Sequence, residues 1–178
     1  ELKERYHTHD QHWHIQQGSI LQTDFLRDQQ LFDIVYSWGV LHHTGQMQQA
    51  FQNVFPLVKQ DGYVAIAIYN DQGWISLYWS LIKKYYNKNF LTKSMITAIH
   101  APYLFGLRWL VRAATGRLKI ERGMSLWYDM LDWLGGYPFE VAKPEDVFDT
   151  FKGAGFKLVK LKTCAGRMGC NEFVFQKL

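Results

Sequence analysis

An α/β fold is predicted by three features of this 178-residue chain. Residues 32–36 are rich in strand formers and end on Ser37, Trp38 and Gly39. Residues 63–69 are almost wholly apolar, as a strand covered on both faces must be. Between them Met47, Ala50, Phe51, Val54, Phe55 and Val58 recur at helical spacing. Strand, helix, strand is the repeating unit of an α/β sheet, and a composition of 48% hydrophobic and 16% aromatic residues supplies one substantial core.

Taken in order, the opening ELKERYH reads as a helix end, and residues 13–17 alternate as a short strand closed by Gly18 and Ser19. The helix over 45–59 should loosen at Pro56, which lacks an N–H and crowds the preceding turn. Asp61 and Gly62 then supply the turn into the apolar strand. From Gly73 to Leu134 the α/β rhythm breaks into helices over 74–86, 91–99, 103–114 and 125–134, punctuated by Asn87, Pro102, Gly116 and Gly123. This insertion is aromatic and poor in the small polar residues of flexible linkers, so a helical lid is expected. Pro144, with Glu145 and Asp146 in the first turn, opens another helix that runs to Phe151 and ends at Gly153 and Gly155. A strand over 156–162 and an antiparallel partner over 171–176 close the chain. Three regions follow: a partial α/β core at 1–72, the lid at 73–135 and the rest of the core at 136–178.

The formal charge of +4 is unevenly placed, because residues 74–119 carry eight Lys or Arg and no acid. With Trp74, Trp79, Tyr85, Phe90 and Trp109 beside Lys83, Lys84, Lys88 and Lys93, this segment permits peripheral contact with an anionic membrane. A nucleic-acid target is disfavoured, since a charge patch alone says little about base chemistry. The apolar stretches near Ala65 and Leu110 are interrupted by polar residues before reaching the ~20 residues of a spanning helix. Two cysteines, Cys164 and Cys170, are too few for a secreted disulfide scaffold, and a cytoplasmic setting is expected. His7, His9, His12 and His14 do not make a closed metal set, as they mix a helix end, a loop and a strand.

The run FDIVYSWGVLHHTG, residues 32–45, places a glycine turn and two histidines where an α/β sheet binds its ligands, at the carboxyl end of a strand. Together with WHIQQGS, FPLVKQDGYVAIAIYN, KPEDVFDTFKGAGFKLVKLKT and GCNEFVFQK, this run resembles the carboxyl-terminal two-thirds of a class I S-adenosylmethionine-dependent methyltransferase. RGMSLWYDMLDWLGGYPFEVAKPEDV is similar to a subgroup of bacterial small-molecule methyltransferases. The resemblance implies a Rossmann-like sheet of order 3-2-1-4-5-7-6 with a closing antiparallel hairpin. It also implies that the first two strands, with their glycine-rich loop and ribose-binding acid, are missing before Trp13. On that expectation the chain is a piece of a longer enzyme, and binds cofactor weakly unless a second chain completes the sheet.

The resemblance further implies S-adenosylmethionine as methyl donor and a small or lipid-like acceptor. Gly18 and Ser19 would meet adenine, although Gly18 equally serves a turn; Asp24 is a more distant neighbour. Ser37, Trp38 and Gly39 would flank the methionine portion, and His42 counts among the cofactor contacts, with a base near the transferred methyl and a capping or core role both open for it. His43 is the candidate base, because an imidazole with a reference pKa of about 6.5 accepts protons near neutrality. Tyr69, Asn70, Arg122, Tyr128 and Asp129 are candidate acceptor contacts. Tyr128 with Asp132, and Asp129 with Trp133, each pair an acid with a ring one helical turn apart. The alternative function is a non-enzymatic module that binds a membrane surface or a protein.

Overall fold

The computed structural model describes residues 14–116 and 125–178. Helix α1 (Thr23–Arg27) precedes strand β1 (Phe32–Trp38), and a 3-10 turn (Leu41–His43) leads into α2 (Met47–Val54). A second 3-10 turn (Phe55–Leu57) then passes Pro56 and enters β2 (Val58–Tyr69). The helical insertion comprises α3 (Trp74–Tyr86), α4 (Phe90–Ala101), a π-helical turn (Pro102–Leu107), α5 (Arg108–Ala114) and α6 (Leu126–Gly135). Helix α7 (Pro144–Gly153) and the hairpin of β3 (Phe156–Lys162) and β4 (Cys170–Lys177) complete the fold.

The four strands lie in the order β1-β2-β4-β3, with β1 parallel to β2 and β4 antiparallel to both neighbours. This is the expected α/β order with its closing hairpin. In β2 and β4 the alternation sends Val64, Ile66, Ile68, Phe173 and Phe175 to one face, where α2 and α7 cover them with Phe51, Val54, Val147 and Phe151. Phe151 stacks on Phe175 with ring centroids 4.3 Å apart and meets Phe51, Phe55 and Phe156 at tilted or edge-on angles. These rings form the centre of the sheet core.

Three expectations need correction. Residues 14–17 are exposed and hold no strand; among the described residues β1 is an edge, so nothing lies beyond it for a short strand to pair with. Asp61 and Gly62 kink a single strand and do not separate two elements. Val58 already pairs with Phe32, and a Cβ at Gly62 would stand 2.9 Å from the Lys59 carbonyl oxygen and 3.0 Å from that of Asp33. Only glycine fits that close approach. Pro102 does not end a helix either, because the chain continues through the π-helical turn, which absorbs the missing hydrogen bond.

The insertion has its own small core of Trp79, Tyr86, Ile96, Met130 and Leu134. Its two ends meet at the carboxyl end of β2. Tyr69 O accepts from Ala142 N at 3.0 Å, Asp71 N donates to Ala142 O at 3.1 Å, and Asn70 bridges Ala142 in parallel. Buried Asn171 donates to Asn70 Oδ1 at 2.9 Å while its own carbonyl accepts from Cys164 N at 3.1 Å. No helix among the described residues is long and apolar enough to cross a membrane.

Candidate active site

The carboxyl ends of β1 and β2 open into a cavity of about 510 Å³. Gly39, His43 and Tyr69 form its sheet side, Lys83 reaches it from α3, and Asp129, Asp132 and Trp133 close it from α6. Gly136 and Tyr137, immediately after α6, complete the wall. Four of the candidate residues, Gly39, His43, Tyr69 and Asp129, are thus brought together by elements distant in sequence.

Gly39 has φ +72 and nothing within 4 Å of the place where a Cβ would stand, so the end of β1 is open backbone. The 3-10 turn after it sorts the two histidines. It turns Leu41 and His42 into the core and leaves His43 at the cavity. His43 Nδ1 lies 2.6 Å from the carbonyl oxygen of Pro138. A carbonyl only accepts, so Nδ1 carries the proton of this bond and Nε2 is the ring nitrogen left over.

His42 corrects the expected cofactor contact. Its side chain is 0% exposed, and neither ring nitrogen meets a partner at hydrogen-bonding geometry. The ring lies 4.1 Å from Tyr69 and 4.5 Å from His43, centroid to centroid. Burial, reinforced by the charges of His43 and Lys83, pushes its pKa down to about 3, and the nearby Ala67 carbonyl offsets only a fraction of this. His42 is a neutral core residue. Burial also pushes the Tyr69 phenol up to about 12, with Cys170 and Asp132 acting in the same direction. Tyr69 is therefore a hydrogen-bond donor at the cavity and not a base.

Lys83 is the second correction. Grouped in sequence with the solvated lysines of the lid, it is 1% exposed. Its ammonium donates to the Trp133 carbonyl and sits 3.9 Å from the Trp133 ring centroid and 5.0 Å from that of Phe139. Burial draws its pKa down to about 8, with Asp132 opposing the shift. The signal was in the spacing, since Trp79, Lys83 and Tyr86 lie on one helical stripe and all are buried. Glu140 was also passed over; both its carboxylate oxygens accept from Met47 N at 3.1 Å and cap α2 from 93 residues away.

The remaining candidates lie elsewhere. Trp38 is 46% exposed and stacks on Tyr36 at 5.6 Å, and half-buried Ser37 precedes it outside the cavity lining. Gly18 has a steric reason, because a Cβ there would meet the Phe25 ring at 2.4 Å. Ser19 Oγ accepts from Leu21 N at 3.2 Å in the same turn, and Asp24 pairs with Arg27. The Asn70 side-chain carbonyl is engaged by Asn171, and Tyr128 is 65% exposed, so neither lines the cavity. Asp129 pairs with Arg108 at 2.9 Å. Arg122, His7, His9 and His12 fall outside the described residues, among which no group of three or more His, Cys, Asp or Glu is placed to hold a metal.

Residues 1–66 match the family described as a methyltransferase domain. The motifs already set out are similar to those of class I S-adenosylmethionine-dependent methyltransferases. No curated protein matches it. Among solved structures, an O-methyltransferase family protein from Burkholderia thailandensis is 10% identical, with 90% of this chain and 34% of that chain covered and a TM-score of 0.47. The N-methyltransferase NodS from Bradyrhizobium japonicum WM9, in complex with S-adenosyl-L-homocysteine, is 15% identical over 90% of this chain and 52% of its own, with a TM-score of 0.42. Magnesium protoporphyrin IX methyltransferase from Synechocystis PCC 6803 is 11% identical over 90% and 49%, with a TM-score of 0.41. The chain spans about a third to a half of the length of these proteins.

Proposed function

We propose that this chain holds a small-molecule acceptor for methylation by S-adenosylmethionine and that His43 takes up the acceptor's proton. The observation that carries this reading is His43 itself, which lines the cavity with its ring fixed by the bond from Nδ1 to the Pro138 carbonyl. When bound, the donor supplies an electrophilic methyl carbon on a sulfonium. The open backbone at Gly39 fits a ligand passing close to the end of β1, with Ser37 and Trp38 as proposed neighbours and Gly18 and Ser19 as proposed contacts on the adenine side.

The acceptor is oriented by the Tyr69 hydroxyl and the Trp133 ring, under a lid formed by residues 73–135 on a core of 1–72 and 136–178. A cavity of about 510 Å³ lies within the ~300–1,000 Å³ range of small-molecule sites. Positioning the nucleophile in line with the methyl carbon lowers the barrier, and proton removal by His43 adds to it. In the His43→Gln variant, methylation of a panel of phenols, carboxylic acids and amines should fall by about 10²–10⁴-fold. S-adenosylmethionine affinity by titration calorimetry should stay within about twofold. An undiminished rate would leave positioning alone as the mechanism.

A second reading, peripheral membrane contact with a lipid-like acceptor, is favoured by the outer face of the insertion. Leu91, Met95, Ile99, Tyr103, Leu107 and Val111 recur every fourth residue along α4, the π-helical turn and α5, and all are exposed. On α3, Trp74, Leu77, Tyr78, Leu81 and Tyr85 form another exposed stripe, and Lys84, Lys88 and Lys93 are exposed beside these rows. Exposed lysines near an anionic bilayer contribute about 1 kcal/mol each. Replacing all three with Glu should abolish sedimentation with phosphatidylserine-containing vesicles; absence of vesicle binding by the unmodified protein would remove this reading.

A further inference from the structure

Gly136, directly after α6, leaves a methyl-sized gap between neighbouring side chains. A Cβ there would lie 3.3 Å from His43 Cε1, 3.5 Å from the Asp132 carbonyl oxygen and 3.5 Å from Lys83 Nζ. Its φ of −71 suits any residue, so what the position requires is room and not an unusual conformation. The gap therefore has the proton-accepting imidazole on one border and a buried ammonium on another.

Lys83 has three N–H groups and spends one on the neutral Trp133 carbonyl. Among the described residues no carboxylate forms an ion pair with it: Asp129 is held by Arg108, and Asp132, exposed at the rim, acts on it only through its field. A buried cation with no ion-pair partner is costly and favours an anion that can reach it. The Tyr69 and Trp133 rings beside the gap offer apolar and edge contacts to a planar ligand.

We propose that the gap over Gly136, between His43 and Lys83, is a subsite for an ionised oxygen on an aromatic acceptor, borne apart from the group that gives its proton to His43, and that Lys83 selects acidic acceptors over neutral ones by donating to that oxygen. This deepens the methyl-transfer reading, since it rests on the cavity being the acceptor site. Lys83 acts by binding. It keeps its proton near neutral pH, although burial has drawn its pKa down to about 8.

The test is titration of benzoate, 4-nitrophenolate and the neutral control benzamide into the protein without methyl donor, followed by calorimetry. At least one anion should bind about tenfold or more tightly than benzamide, and which one does so tells whether the subsite takes a carboxylate or a phenolate. Lys83→Met should erase that preference. Gly136→Ala, which fills the gap and leaves Lys83 in place, should weaken the anion by about tenfold and serves where Lys83→Met does not fold, as judged by circular dichroism. Equal affinity for anions and benzamide, no binding of any probe, or a preference that survives Gly136→Ala would overturn the subsite. Because binding is read without donor, an unmodified protein that methylates but shows no anion preference refutes only the subsite. An anion preference in a protein inactive toward every acceptor refutes only the transfer.

Discussion

Acidification from pH 6.5 to about pH 4 is expected to remove about 3 kcal/mol of stability through His42 alone. The folded state holds this imidazole neutral down to about pH 3, whereas the unfolded chain protonates it at about 6.5. Between those values the unfolded state binds one more proton, so stability falls as pH falls. His42→Phe keeps a flat ring against Tyr69 and removes two nitrogens that have no partner. Replacing unsatisfied buried polar atoms with apolar ones is near neutral or stabilising. The gap in unfolding free energy between variant and wild type should therefore widen in favour of His42→Phe as pH drops, measured by urea unfolding at each pH. Parallel pH profiles for the two proteins would show that His42 is not held neutral.

Phe151→Ala should cost about 3–5 kcal/mol, out of the ~5–15 kcal/mol that holds a typical domain together. Phe151 is 0% exposed and is the ring on which Phe51, Phe55, Phe156 and Phe175 converge. Surrounding aromatic rings cannot collapse into the space it leaves, because each is anchored to a different helix or strand. Phe148, one turn away on the same helix, is only half-buried, and its replacement by Ala should cost far less. Equal losses for the two variants, read from denaturant midpoints at constant slope, would contradict this account of the core.

Much of this architecture is legible in sequence wherever one periodicity dominates. Helix α3 runs over 74–86 as its spacing predicts, and β1, α7 and the closing hairpin fall within a residue or two of expectation. The departures arise where a partner distant in sequence overrides a local signal. Pairing of Val58 with Phe32 extends β2 backward through a segment that reads as a turn. The π-helical turn carries a helix past Pro102, which reads as a stop. At the site, β1 and its loop reveal Gly39 and His43, because strand ends are where α/β folds bind ligands. Lys83 was obscured by the assumption that lysine is solvated, and Glu140 by its distance from the helix it caps. His42 and His43 are indistinguishable as letters; the 3-10 turn alone assigns one to the core and the other to the cavity.

The clasp between Tyr69–Asp71 and Ala142 has an evolutionary consequence. Because the chain returns to the point from which it left, the sheet experiences the whole helical excursion as a short, closed connection. The entropy of closing that connection grows only slowly with the length of what it encloses, each doubling adding about 0.6 kcal/mol. Helices between the two ends are thus free to lengthen, shorten or diverge, while the register of β2 against β4 stays fixed. A lineage built on this plan can rewrite one enclosed segment and leave the sheet untouched.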